Sequence, residues 1–195
     1  MAFRHSSGHV LAIRPELETE RLTLRRFVFD DAPFVVELLN QPSFIQNIGD
    51  RGVRDVADAH RYLREGPMAM YDRYGFGLWH TARRSDGTPV GMCGLLKRDI
   101  LPGVDVGYAY LPDYWGQGYA LEAARATVEL GARKFGLNRV IGVVSEHNAA
   151  SIRVLEKLGM RFERMYPMHP GEPEVRLYSL EFAAATSSLQ TISGG

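Results

Sequence analysis

The stretch that most limits how this chain can fold is DVGYAYLPDYWGQGYALEAA, residues 105–124. It reads as a strand up to Leu111, breaks at Pro-Asp, and passes an aromatic pair and two glycines, Gly116 and Gly118. From Ala120 onward Leu121, Ala124, Val128, Ala132 and Phe135 recur at spacings of three and four, which predicts an amphipathic helix closed by Gly136. A strand that feeds a long helix requires a sheet with helices packed on it. The first turn of such a helix carries unpaired backbone N–H groups and the positive end of the helix dipole. Glycines just ahead of it let an anion such as a pyrophosphate reach those groups. The segment is neither familiar nucleotide motif: it lacks the Lys-Ser/Thr pair of a P-loop and the third glycine of a dinucleotide fold. Taken alone, Gly116 and Gly118 suit a bare turn as well as a phosphate cradle.

The rest of the chain supplies the sheet. RLTLRRF (21–27) alternates as a strand with Leu22 and Leu24 on one face. DDAPFVVELLN predicts a helix capped by Asp30 or Asp31, with Pro33 in its first turn and Phe34, Leu38 and Leu39 on its apolar face. Residues 53–72 read as helical with an interruption at GPM. GFGLWHTARR and TPVGMCGLLKRD are strands joined by a hairpin turn at SDGTP, and VDVGYAYL is the next strand. RVIGVVS is a buried strand, Asn148 to Leu158 a second helix, and RFERMY and EVRLYSLEF a closing strand pair. The expected fold class is α/β (α+β), a mixed, mostly antiparallel central sheet flanked by helices. One domain over residues 15–183 is expected, with residues 1–14 and 184–195 as flexible termini.

Lys+Arg and Asp+Glu both number 23, so no net field draws the chain to nucleic acid or to a membrane surface. The N-terminal residues lack the apolar core of a signal peptide, which gives a cytoplasmic expectation. The single cysteine, Cys93, lies in the apolar run PVGMCGLL and reads as a buried core thiol; no pattern around it suggests a nucleophile. No metal site is expected.

A second signal is SEHNAASIRVLEKLGM, residues 145–160. A buried strand ends at Ser145, Asn148 is a natural helix N-cap, and Ser151 falls in the first turn. By itself this is a capped helix. Joined to YWGQGYALEA, it closely resembles the GNAT superfamily of acetyl-CoA-dependent N-acetyltransferases, in particular the RimJ/RimL-like branch that includes N-terminal acetyltransferases of ribosomal proteins. ELETERLTLRRF and RLYSLEF fit that branch, so the resemblance spans roughly residues 17–183. The family's phosphate loop, Arg/Gln-x-x-Gly-x-Gly/Ala, matches residues 115–120 with Trp115 in place of the Arg/Gln.

The resemblance implies a GNAT fold and acetyl-CoA as co-substrate. Backbone N–H groups of Gly116, Gln117, Gly118, Tyr119 and Ala120, behind Trp115, would hold the CoA pyrophosphate. The strand Tyr108, Ala109, Tyr110, Leu111 would pair with the pantetheine arm, and one of its N–H groups would polarise the thioester carbonyl. Asn148 would hydrogen-bond the arm. Ser151 would protonate or stabilise the departing thiolate, a task that a tyrosine on this helix performs in many relatives outside the branch. Asp105 stands where family members often carry a glutamate, and it reads equally as a general base or as a charge that fixes a loop. Glu146 and His147 are explained by a solvated helix start, and His80 by a hydrogen-bonded structural role.

An α-amine has a pKa of about 7.7–8.0 against about 10.4 for Lys, so an α-amine acceptor needs only modest help to become neutral. Residues 41–75, with Phe44, Tyr71 and Tyr74, the adjoining Phe76, and the loop PMHPGEPE (167–174) are candidates for gripping the acceptor, although core packing explains several of those aromatics equally. The readings are an acetyltransferase acting on a protein N-terminal α-amine, the same chemistry on an amino acid, polyamine or antibiotic, and a non-catalytic acyl-CoA sensor. Monomer and homodimer are both open.

Overall fold

A computed structural model describes residues 14–182, and the expectation of flexible termini lies outside those residues. The strands are β1 (Leu17–Glu18), β2 (Leu22–Arg25), β3 (Leu78–Arg83), β4 (Pro89–Lys97), β5 (Val104–Tyr110), β6 (Arg139–Val144), β7 (Arg161–Tyr166) and β8 (Val175–Glu181). The helices are α1 (Ala32–Leu39), α2 (Pro42–Asn47), α3 (Val56–Leu63), α4 (Ala69–Tyr74), α5 (Tyr119–Phe135) and α6 (Ala149–Lys157). The sheet order is β1-β2-β3-β4-β5-β6-β8-β7, and every neighbouring pair is antiparallel except β5–β6. A mixed, mostly antiparallel sheet flanked by helices is therefore the architecture, as the sequence pattern predicts.

Strand alternation sorts the core into two layers. Val106 and Tyr110 of β5 pack with Cys93, Leu95 and the inner face of α5 (Ala123, Ala124, Val128). Ala109 and Leu111 face the other way, onto Met92, Leu78 and the α1–α3 layer of Phe34, Leu38, Ala59 and Leu63. Burying a leucine such as Leu95, fully enclosed here, contributes about 2 kcal/mol. Cys93 lies wholly inside, its Sγ 3.5 Å from Thr127 Oγ1, and burial pushes its thiol up to about 12, which suits packing and not attack.

Three local outcomes refine the sequence reading. The helical run after residue 55 is continuous, and its interruption is a π-helical turn at Arg64–Met68. Pro67 has no N–H to donate and its ring crowds the carbonyl four residues back, so the chain widens by one residue there. Helix α2 is only six residues long and lacks a side-chain cap, and the start signal it carries is Pro42 at its first position. Asp31 does occupy the N-cap position of α1, but its carboxylate does not cap the helix. It accepts from Arg25 (2.7 and 2.8 Å) and from the Val28 N–H (2.9 Å), and these contacts outweigh burial to hold it below the usual carboxylate range.

The parallel pair β5–β6 positions everything that follows. The two strands meet in register only at Asp105↔Ile141. Beyond that point no ladder joins them, and the C-terminal halves of both strands keep their facing edges open. No described helix is long and apolar enough to cross a membrane.

Candidate active site

The open end of the β5–β6 pair delivers two helix starts. From β5 the chain passes a 3₁₀ turn at Pro112–Tyr114 and enters the glycine loop. Gly116 (φ 73°) and Gly118 (φ 82°) both sit in the left-handed region, where a side chain costs about 1–2 kcal/mol. Nothing lies within 4 Å of where a Cβ would stand on Gly116, so that face is open for a ligand. Gly118 is the N-cap of α5 and offers no side chain to its first turn. The first N–H to close onto the cap is that of Glu122, to Gly118 O at 3.0 Å. The N–H groups ahead of it are left for an anion, at the positive end of a 17-residue helix. The loop thus fits a pyrophosphate on its own geometry.

The second helix start is α6. Asn148 caps it by accepting the Ser151 N–H on Oδ1 (3.1 Å), which leaves the Asn148 amide NH₂ to donate elsewhere. The phenol of Tyr108 donates to Ser151 O (3.3 Å), joining β5 to the first turn of α6 across the gap. Burial raises the phenol's pKa, so it stays a neutral donor.

Register divides the four arm-binding candidates of β5. The Leu111 N–H donates to Val90 O (3.0 Å), so Leu111 and, by alternation, Ala109 turn their backbone groups to β4. Tyr108 and Tyr110 turn theirs to the open edge. There the Tyr110 carbonyl already accepts Trp115 Nε1 (2.8 Å). Trp115, where the family pattern has Arg or Gln, therefore pins the glycine loop to the strand; its ring is otherwise exposed.

Asp105 lies at the closed end of the pair, 1% exposed, with Oδ1 and Oδ2 accepting from Arg98 Nε and Nη2 (3.1 and 2.6 Å). Burial raises its pKa in spite of the guanidinium. Glu146 and His147 are exposed on the loop between β6 and α6. His80 is buried against Phe27 and Phe34, and burial together with the charge of Arg25 pushes its pKa down to about 4. His80 has the structural position expected of it, with Nε2 3.9 Å from Asp31 Oδ1 and a buried Nδ1 that has no partner. Phe44, Tyr71 and Phe76 are core residues, with Tyr71 donating to Leu78 O, so they do not form an exposed acceptor wall.

Sequence reasoning missed one cluster. Thr19 and Arg21, in and after the turn from β1, reach the first turn of α5 and bind Glu122 there. TERL gives no periodicity to mark it, and the partner lies about a hundred residues away.

The comparisons with known proteins agree with this geometry. Residues 21–161 match the model of the acetyltransferase (GNAT) domain. The uncharacterized protein YkkB of Bacillus subtilis is 34% identical over 154 residues, covering 77% of this chain and 88% of YkkB. A GNAT-family acetyltransferase of Bacillus anthracis superposes with a TM-score of 0.70 at 26% identity, covering 85% of this chain and 97% of that one. RimL, a ribosomal L7/L12 α-N-protein acetyltransferase in complex with coenzyme A, shares the fold at 16% identity (TM-score 0.74, 88% and 99% covered). A split parallel strand pair, an open glycine loop and a family match over most of the chain lead to one conclusion: the protein belongs to the GNAT family and is an acetyl-CoA-dependent acetyltransferase.

Proposed function

We propose that the protein acetylates a protein N-terminal α-amine, by direct attack of the amine on the thioester, as in the RimJ/RimL-like branch. The observation that carries the donor half is the β5–β6 pair, joined only at Asp105↔Ile141 and flanked by two helix starts. Acetyl-CoA supplies the acetyl group as a thioester. The N–H groups of Gly116, Gln117, Gly118, Tyr119 and Ala120 hold its pyrophosphate, and the open-edge backbone of Tyr108 and Tyr110 holds the arm, with an N–H of that edge polarising the carbonyl. Asn148 donates to the arm through its free NH₂. The amine nitrogen bonds to the carbonyl carbon as the C–S bond breaks, and the Ser151 hydroxyl gives a proton to the departing sulfur and is reprotonated, through water, by the proton the acetylated amine sheds.

For Asp105 the surroundings favour the anchoring reading. Both its oxygens are engaged by Arg98, which follows β4, so the pair closes the β4–β5 connection at the base of the cleft. An α-amine, being partly neutral near pH 7, needs no strong base, and positioning with carbonyl polarisation carries the rate. That modest requirement and the likeness to RimL support a peptide acceptor. The acceptor end is formed by the loop 167–174 and the α2–α3 region, where Ile45, Ile48 and Val56 are exposed. The reaction is proposed to take place in the cytoplasm.

The test is an acceptor screen that follows free thiol released from acetyl-CoA. N-terminal peptides should release thiol faster than polyamines, amino acids or aminoglycosides. Preference for a small amine would replace the peptide reading. CoA binding without thiol release from any amine would favour the sensor reading.

A further inference from the structure

The turn from β1 to β2 holds the only long-range polar cluster that reaches the glycine loop among the described residues. Arg21 Nε donates to Glu122 Oε2 (2.6 Å), and the Arg21 N–H and Thr19 Oγ1 both donate to Glu122 Oε1 (2.9 and 2.6 Å). These donors outweigh burial and hold Glu122 below the usual carboxylate range. So anchored, the guanidinium lies 4.7 Å from the centre of the Tyr119 ring and donates from Nη1 to the carbonyl of Gln117 (2.9 Å). Its Nη2 is 3.4 Å from where a Cβ on Gly118 would stand, so the contact is close.

That last hydrogen bond has a definite effect on the loop. The carbonyl of Gln117 and the N–H of Gly118 are the two ends of one planar trans peptide and point in opposite directions. Fixing the carbonyl onto Arg21 therefore turns the Gly118 N–H away from Arg21. Rotation of this peptide changes φ of Gly118, and Gly118 has no Cβ to resist that change. We infer that Arg21, anchored by Glu122 and Thr19, is a positioning residue that presets the Gln117–Gly118 peptide for pyrophosphate binding. The inference rests on the assignment of the pyrophosphate to residues 116–120 given above.

The experiment measures CoA affinity by calorimetry and backbone amide spectra by NMR, on full-length wild type, Arg21→Ala and the double variant Arg21→Ala/Glu122→Gln. Losing one preset charge-assisted hydrogen bond should weaken CoA about tenfold in Arg21→Ala. In the free variant, amide shifts should change at residues 115–122 and the adjoining 19–21, with the rest of the sheet unmoved. Pantetheine, which has no pyrophosphate, should bind wild type and variant alike. The double variant should stay weak, because removing the carboxylate does not restore the peptide's orientation. Wild-type CoA affinity in Arg21→Ala, recovery in the double variant, equal loss for pantetheine, or shifts spread through the sheet would each overturn the inference. Wild-type protein that bound pantetheine but gained nothing from the pyrophosphate would overturn the loop assignment and the inference with it.

Discussion

The hydroxyl of Tyr108, on β5, donates to the backbone carbonyl of Ser151, in the first turn of α6. It links the two elements at a level where their parent strands β5 and β6 have already separated, and so sets the spacing of the cleft that must hold the thioester. Tyr108→Phe removes one hydrogen bond, worth about 1 kcal/mol, and keeps the ring in the core. The KM for acetyl-CoA should rise about fivefold while the melting temperature falls by only a few degrees, checked by steady-state kinetics and a thermal scan.

Ser151 can be tested cleanly because its contribution to helix capping is its N–H and not its hydroxyl. Ser151→Ala leaves the Asn148 cap intact. Turnover should drop about a hundredfold, the low end of the range for general acid–base catalysis, with CoA affinity within about twofold of wild type. A loss of affinity at unchanged turnover would make Ser151 a binding residue only.

Asn148 has two separable functions. Asn148→Asp keeps the oxygen that caps α6 and removes the NH₂ donor; Asn148→Ala removes both. Asp should therefore melt near wild type yet bind CoA more weakly, whereas Ala should also lose about 1 kcal/mol of stability. Denaturant melts and calorimetry on the two variants separate these outcomes.

Asp105 should show itself in stability and not in the pH–rate profile. Its folded pKa is raised, so it favours the folded state most at pH values below its unfolded pKa, and that contribution is lost as pH rises through the folded pKa. Asp105→Asn removes this titration. The difference in melting temperature between wild type and variant should shift against wild type as pH rises from about 4, the ordinary value for an aspartate. The pH dependence of turnover should keep its shape; a shifted profile would return Asp105 to the reaction as a base.

How far the sequence carried can be judged residue by residue. Leu22 and Leu24, or Leu121, Ala124 and Val128, declare their faces by spacing alone, because burial enforces a strict period along each element. Gly116 and Gly118 were ambiguous until paired with the distant Asn148 and Ser151. The Arg21–Glu122 contact was not legible, since it joins a two-residue strand's turn to a helix start, and no local pattern records such a distance. Phe44, Tyr71 and Phe76 show the limit from the other side: an aromatic suited to a binding wall is equally suited to a core, and only the packing distinguishes them.

The most direct measurement for the site as a whole is the map of backbone amide shifts when CoA is titrated into the protein. The largest shifts should fall on Gly116–Ala120, with a second group at Tyr108 and Tyr110 and a third at Asn148–Ser151. Shifts concentrated instead on Glu18, Leu121, Arg125 and Glu129, in the shallow groove that borders Gly118, with Gly116, Gln117, Tyr119 and Ala120 unmoved, would contradict the account.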